Sequence, residues 1–283
     1  MSARLLDGRD LASHLRRELA HRVERISDLE SGRSPILAIL RDRSSEPAAV
    51  YAASLERAAR AIGVDTRLIE GAHADELEPA LTDLNEDDQV AGIVIAQPFA
   101  DVAAGRRLVE HIDPAKDVDG ATPTNAGWLA RGEPAFVPAT ALAVIALLEA
   151  AEVEIAGRRA VIVGRSAVVG RPVASLLLAR DATVVVCHTA TRNLARETRR
   201  AELLVAAAGV PRLIRPEMVN RSAVIVDCGI NAADGRIVGD VDFQHVAPVV
   251  RAISPVPGGV GPVTPMMVLR QTVESAERQA ATT

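Results

Sequence analysis

The chain has 283 residues, 48% hydrophobic but only 2% aromatic, so it can bury a large aliphatic core and has room for two domains. Its net charge of -5 gives no basis for nucleic acid or an acidic membrane as a partner. No run reaches the ~18 apolar residues of a membrane helix, and the opening Met-Ser-Ala-Arg-Leu-Leu-Asp-Gly lacks a signal-peptide stretch, so a soluble cytoplasmic protein is expected. In chain order, Leu11, Leu15, Leu19 and Val23 recur every four residues, the stripe of an amphipathic helix. A strand over 36–40, a helix over 50–61, a strand over 66–69, a helix over 74–84 and a strand over 91–95 follow. Residues 113–138 are rich in Pro, Gly, Asn and Thr and break the pattern, which marks a domain junction. A helix over 140–151 opens a second series with strands 160–163, 183–187, 202–206 and 223–227. Thr264-Pro265 reads as an N-cap and first helical residue of a last helix that packs back on the N-terminal domain. Alternating strands and helices predict parallel sheets covered on both faces.

Residues 160–172 read Ala-Val-Ile-Val-Gly-Arg-Ser-Ala-Val-Val-Gly-Arg-Pro: an apolar strand, a glycine turn, and a second glycine opening a helix. Such a turn aims backbone N–H groups and a helix N-terminus at a phosphate, which makes a nucleotide cofactor the leading expectation. Cys187 and Cys228 sit in or beside β-branched runs and read as small buried residues, and no His/Cys spacing supports a metal site. His14, His21, His73, His111 and His245 read as surface residues, and His188 as structural or at a cofactor's edge.

Several segments together resemble the bifunctional methylenetetrahydrofolate dehydrogenase/cyclohydrolase family. They are Asp7-Gly8, Pro114-Ala-Lys-Asp-Val-Asp-Gly120, Val163-Gly-Arg-Ser-Ala-Val-Val-Gly-Arg-Pro172, Cys187-His-Thr189, Val226-Asp-Cys-Gly-Ile-Asn231, Val238-Gly-Asp-Val-Asp-Phe243 and Pro255-Val-Pro-Gly-Gly-Val-Gly-Pro262. They stand in the family's order and span nearly the whole chain. The resemblance implies an α/β fold of two domains, an N-terminal folate domain and a C-terminal Rossmann-like NADP-binding domain, with a cleft between them and usually a homodimer. The folate domain is expected over 1–138, completed by the helix 264–283, and the NADP domain over 139–263. Two reactions are implied: 5,10-methylene-tetrahydrofolate gives a hydride to NADP, and water then opens the methenyl product to 10-formyl-tetrahydrofolate.

The resemblance assigns roles residue by residue. Gly164 and Gly170 allow close backbone approach, Ser166 and the following helix N-terminus hold phosphate, and Arg165 and Thr189 contact the NADP 2′-phosphate. Gly209 and Ile230 match positions near the adenosine and nicotinamide. Tyr51 and Asp119 match catalytic and folate-binding positions, with Asp119 on the pterin and Asp117 supporting its loop. Pro257, Gly258 and Gly259 are expected at the substrate. No metal is expected.

The sequence departs from the family on the folate side. The family's Tyr-x-x-x-Lys is Tyr51-Ala-Ala-Ser-Leu55 here, so leucine stands at the catalytic lysine position. Lys116 is the only lysine among 32 basic residues, so drift from lysine ends at arginine elsewhere and does not account for Leu55. The family's Val-Gln-Leu-Pro is Ile95-Ala96-Gln97-Pro98, with alanine at the glutamine position, and Gln97, one residue late, faces the opposite way in an extended segment. Pro-Cys-Thr-Pro is Pro138-Ala139-Thr140-Ala141. Opening the methenyl ring needs acid–base groups, whereas hydride transfer rests on positioning. The expectation is an NADP-dependent dehydrogenase whose cyclohydrolase half is lost or weak. Open beside it stand a conventional bifunctional enzyme, a divergent paralogue acting on another cyclic or iminium substrate, and a non-catalytic folate- or NADP-binding regulator. NADP is preferred over NAD on Arg165 and Thr189.

Overall fold

The computed structural model describes residues 3–29, 32–233 and 235–281. In chain order it runs β1 (Arg4–Leu5), α1 (Gly8–Leu29), β2 (Ile36–Asp42), α2 (Glu46–Arg60), β3 (Asp65–Gly71), α3 (Glu78–Glu86), β4 (Val90–Ala96), α4 (Val102–Glu110) and α5 (Pro123–Arg131). Then come α6 (Ala139–Ala150), β5 (Arg159–Val163), α7 (Gly170–Leu178), β6 (Thr183–Cys187), α8 (Leu194–Thr198), β7 (Leu203–Ala206) and β8 (Val224–Asp227). The chain closes with β9 (Asn231–Ala233), β10 (Arg236–Val238), α9 (Phe243–Val246), β11 (Ala252–Ile253) and α10 (Val260–Ala280). These elements form two compact units: residues up to Ala12 with 138–264, and 13–137 with the residues from Pro265 onward. No described helix is long and apolar enough to cross a membrane.

The 13–137 unit is built on three parallel strands in the order β3-β2-β4. The central strand reads Ile-Leu-Ala-Ile-Leu, the unbroken apolar run of a strand buried on both faces. Leu40 packs with Leu77, Leu81, Leu84, Ile93 and Leu108 in one aliphatic core. Helix α2 starts at Ser45, whose side chain accepts from the Ala48 amide, and buries Ala48, Ala52, Leu55 and Ala59, one face of the helix. After α4 the chain returns beside β4: the Ile93 amide donates to the Lys116 carbonyl (2.7 Å), and Asp117 pairs in parallel with Ile93.

The 138–264 unit carries a six-stranded parallel sheet in the order β1-β11-β8-β7-β5-β6, plus the hairpin β9–β10. From β5 the chain goes through α7 to β6 on one side, then crosses to β7 on the other. The order therefore reverses between β5 and β7, and loops there diverge to leave a crevice at the carboxyl ends of the strands.

Some elements differ from the sequence expectation. Residues 4–5 do not join the N-terminal domain; their backbone pairs in parallel with Ala252 and Ile253, which extends the six-stranded sheet. Helix α10 begins at Val260, not at Thr264, and takes Pro265 inside its first turns, where Thr264 Oγ1 donates to the Val260 carbonyl (3.2 Å). The 74–84 helix is a short 3-10 turn (Ala74–Glu76) and then α3. The junction is not all loop: Thr122 caps α5, Pro123 opens it, and Gly132 at φ 74 ends it.

Lys116 is buried and its Nζ donates to the carbonyls of Leu84 (3.0 Å), Asn85 (2.7 Å) and Asp87 (2.8 Å), which closes the C-terminal end of α3. Three acceptors converging on one point suit a compact ammonium and not a planar guanidinium. Chemical denaturation should therefore find K116M destabilised by about 2–4 kcal/mol, and K116R should recover little of that loss.

Candidate active site

In the 13–137 unit, three positions singled out from sequence gather around the carboxyl end of the sheet. β2 and β4 run parallel, with Arg41 level with Ala96, so Ala96 ends its strand at that edge. Asp119 lies two residues beyond Asp117, which pairs with Ile93, and this carries it toward the same edge. Tyr51 lies in the second turn of α2, which follows β2. Burial holds the Tyr51 phenol well above its ordinary 10, and the negative charge of Asp119 adds to the shift. Tyr51 is thus a neutral hydroxyl at any working pH, able to donate a hydrogen bond and poorly able to take a proton.

Leu55 is one turn beyond Tyr51 and wholly buried, at 0% exposure. Ala96 is equally buried, whereas Gln97 is exposed and begins a cis Gln97–Pro98 bond. The two adjacent side chains thus occupy opposite environments.

Asp119 is presented by a loop that hangs on Asp117. The Asp117 carboxylate is fully buried and accepts from the amides of Ala121 (2.9 Å) and Thr122 (2.8 Å) and from Asn125 Nδ2 (2.8 Å). Burial raises its pKa while these donors oppose the rise. Asn125 also accepts from the Phe136 amide (3.1 Å). Gln271 of α10 donates to the Val118 (2.7 Å) and Val137 (2.9 Å) carbonyls and accepts from the Val137 amide (2.8 Å). The sequence named Asp117 as a support but not Asn125, whose partners lie 8 and 11 residues away, nor Gln271, whose partners lie more than a hundred residues away.

In the 138–264 unit, Gly164, Arg165, Ser166 and Gly170 form the turn from β5 to α7, beside the crevice where the strand order reverses. Gly164 has φ 129, and a Cβ there would fall 2.0 Å from the Ala207 carbonyl oxygen. A Cβ on Gly170 would fall 2.2 Å from the Gly164 oxygen. Ser166 Oγ accepts from the amides of Val169 (3.1 Å) and Gly170 (3.4 Å), so its hydroxyl caps the helix start. Arg165 and Thr189 are exposed. His188 Nδ1 accepts from the Ala190 amide (3.2 Å), a local role that fixes its turn. Gly209 lies in the loop after β7 and Ile230 in the loop after β8.

Three aliphatic side chains stand out from these loops: Val168 at 56%, Val210 at 45% and Ile230 at 74% exposure. A glycine-lined turn at a helix N-terminus, next to apolar side chains left open to solvent, fits a dinucleotide with charged phosphates and flat rings. Pro257 is exposed, while Gly258 and Gly259 are buried in the turn before α10. There the Gly8 amide donates to the Gly258 carbonyl (2.9 Å), and the Gly259 amide to that of Pro255 (2.8 Å).

Residues 6–119 match the profile of the tetrahydrofolate dehydrogenase/cyclohydrolase catalytic domain, and 138–280 that of the NAD(P)-binding domain. The chain belongs to the tetrahydrofolate dehydrogenase/cyclohydrolase family. It is 44% identical to the bifunctional protein FolD of Parafrankia sp. over 96% of this chain and 99% of that protein. To the FolD of Chloroflexus aggregans it is 42% identical, over 97% and 98%. Among solved structures, the bifunctional FolD of Campylobacter jejuni superposes with a TM-score of 0.94 at 38% identity, covering 98% and 99% of the two chains. The Trypanosoma brucei FolD, solved with NADP and an inhibitor, gives 0.93 at 35% identity, covering 98% of each chain.

One buried carboxyl of the NAD(P)-binding domain carries a pH signature. Asp227 accepts from the amides of Gly229 (2.9 Å), Asp240 (3.0 Å) and Val241 (2.9 Å), yet burial outweighs these bonds and lifts its pKa from 3.8 to about 6. The fold then holds a proton that the unfolded chain has released. The contribution of this group to stability is therefore greatest at low pH and falls as the pH rises from 3.8 to about 6. Carboxyl-labelled NMR should find one aspartate titrating near the upper end of that window, and D227N should remove that resonance.

Proposed function

We propose that this protein is an NADP-dependent 5,10-methylene-tetrahydrofolate dehydrogenase whose cyclohydrolase activity is lost or severely weakened. The observation that carries the second half is Leu55, a wholly buried aliphatic side chain one turn after Tyr51, where the family pattern has a lysine. Ala96 adds to it, since the methyl group cannot hydrogen-bond and the neighbouring Gln97 is exposed.

The residues divide the work as follows. Asp119 accepts hydrogen bonds from the pterin ring, and Tyr51 donates one to the folate as a neutral phenol. Arg165 and Thr189 bind the 2′-phosphate, and Ser166 with the α7 N-terminus binds the pyrophosphate. Gly209 and Ile230 lie along the adenosine and nicotinamide. Bound NADP supplies the acceptor for the hydride that leaves the methylene carbon of the folate. Holding donor carbon and acceptor ring in line is the larger part of catalysis for this step. Ring opening instead needs a water deprotonated as it attacks the methenyl carbon and a proton delivered to the departing ring nitrogen. Leu55 and Ala96 supply no group for either task, and the raised pKa of Tyr51 makes it a poor replacement base.

The bifunctional names of the relatives favour retained hydrolysis, and the assay decides between the readings. Purified protein is given 5,10-methylene-tetrahydrofolate and NADP, and NADPH and the methenyl compound are followed separately. We expect NADPH to form while the methenyl compound accumulates and decays at its spontaneous rate. L55K, alone or with A96Q, should then speed that decay by up to about 10²-fold. Decay faster than spontaneous in the wild type overturns the loss of hydrolysis, and no NADPH at all overturns the dehydrogenase.

Arg165 gives a second test. R165A should raise KM for NADP by about tenfold or more and leave KM for NAD nearly unchanged, since only NADP carries the 2′-phosphate. The protein is further proposed to be a cytoplasmic homodimer, in keeping with the family. In support, β6 is an edge strand with Val186 exposed on it. Sedimentation equilibrium checks the dimer.

A further inference from the structure

The segment Val238-Gly-Asp-Val-Asp-Phe243 has no task in the reaction as described, yet its centre, Asp240, is wholly buried. Its carboxylate accepts from three successive amides of the loop after β7: Ala208 (2.5 Å) and Gly209 (2.9 Å) on Oδ2, and Val210 (3.0 Å) on Oδ1. Oδ1 also accepts from Nδ2 of Asn231 (2.8 Å), the first residue of β9. Consecutive amides turned toward one point form an anion-binding nest. In this loop the nest holds the protein's own carboxylate, which leaves the β5–α7 turn as the phosphate-binding loop of the crevice.

Asp240 is itself fixed from behind. Its amide donates to Asp227 Oδ1 (3.0 Å), its carbonyl accepts from Ile214 N (2.9 Å), and the Asp227 amide donates to Ser254 Oγ (2.8 Å). The surrounding glycines fit this packing. A Cβ on Gly229 would stand 2.4 Å from both the amide nitrogen and Oδ1 of Asp240, and one on Gly239 would stand 1.9 Å from Asp227 Oδ2. The Gly-Asp and Cys-Gly-Ile-Asn patterns are therefore two sides of one buried contact.

We propose that Asp240 is a positioning residue for the dinucleotide: it locks the loop 208–210 to the start of β9 just after Ile230, the two segments that present Gly209 and Ile230 to it. The proposal rests on the cofactor reading given above. Asp240 touches no reacting atom; it sets where the adenosine and nicotinamide supports stand. Its loss should weaken NADP binding and leave the folate side alone.

The test compares wild type, D240N and N231A by NADP titration, by steady-state kinetics in both substrates, and by thermal melting. D240N replaces one accepting oxygen with a donor that faces an amide, so its KM and Kd for NADP should rise by about tenfold or more, while KM for the folate stays within about twofold. N231A removes the two bonds of Nδ2, to Asp240 Oδ1 (2.8 Å) and to the Val238 carbonyl (3.4 Å), at the edge of the network, and should raise KM for NADP by about threefold without preventing folding. If the folded variants melt earlier yet bind NADP as the wild type does, Asp240 is only structural and the proposal falls. If D240N does not fold, an unchanged NADP affinity in N231A overturns it. Wild-type protein that does not bind NADP removes the cofactor reading itself, and the proposal with it.

Discussion

A loop folded against the end of a parallel sheet turns some of its amides away from water, and each one left without a partner costs about 1–3 kcal/mol. This constraint shapes both units of the chain. Asp117 takes two amides and a side-chain amide across 121–125, and Asp227 takes three across 229–241. One carboxylate that serves several donors ties their positions together, because shifting it strips them all at once. Short loops that would be mobile on their own become fixed parts of the sheet edge. Asp119, Gly209 and Ile230 stand on or next to the loops fixed in this way.

The basic residues show how far a side chain can be replaced before its geometry fails. The chain carries arginine almost everywhere a cation is needed, and arginine serves well where the partner is a planar carboxylate, as with Arg22 and Glu277 at 3.0 and 2.7 Å. Lysine stands only at 116, where three carbonyls meet at one nitrogen. At position 55 neither cation is found. A leucine with no solvent exposure there packs as a core residue on the face of α2 that also buries Ala48, Ala52 and Ala59. The helix gains a continuous apolar stripe at the place where a cation would have had to be desolvated.

Much of this was legible in the sequence, because the strong signals are local. The apolar run 36–40 marks the central strand of its sheet, and the strand–glycine–helix pattern at 160–172 becomes the turn from β5 to α7. What could not be read depends on partners far along the chain. Residues 4–5 show too little pattern to declare a strand, and they become one only because Ala252 and Ile253 offer a free edge. Thr264-Pro265 carries a sound start signal, but the tight turn at Gly258 and Gly259 has already begun the helix at Val260. Residues 113–138 read as a break in the pattern, a domain junction, because their order comes from Asp117, Asn125 and Gln271, polar side chains whose burial no periodicity betrays. Asp240 was visible as part of a motif, but its role depends on a loop 30 residues earlier.

The two reactions expected of this family place unequal demands on such a scaffold. Transfer of a hydride moves no proton to or from the protein, so rigid loops and matched surfaces suffice for much of its rate. Ring opening must take a proton from water and return one to a nitrogen, and rigidity cannot stand in for a missing titratable group. The surroundings of Tyr51 sharpen the difference. Burial and the charge of Asp119 both disfavour the phenolate, so the same surroundings that keep this phenol a hydrogen-bond donor also make it a poor proton acceptor. A lysine one turn away would be the natural relief, since its ammonium would draw that phenol back toward ionisation and carry a proton itself. With leucine in its place, position 55 offers only apolar packing and no titratable group.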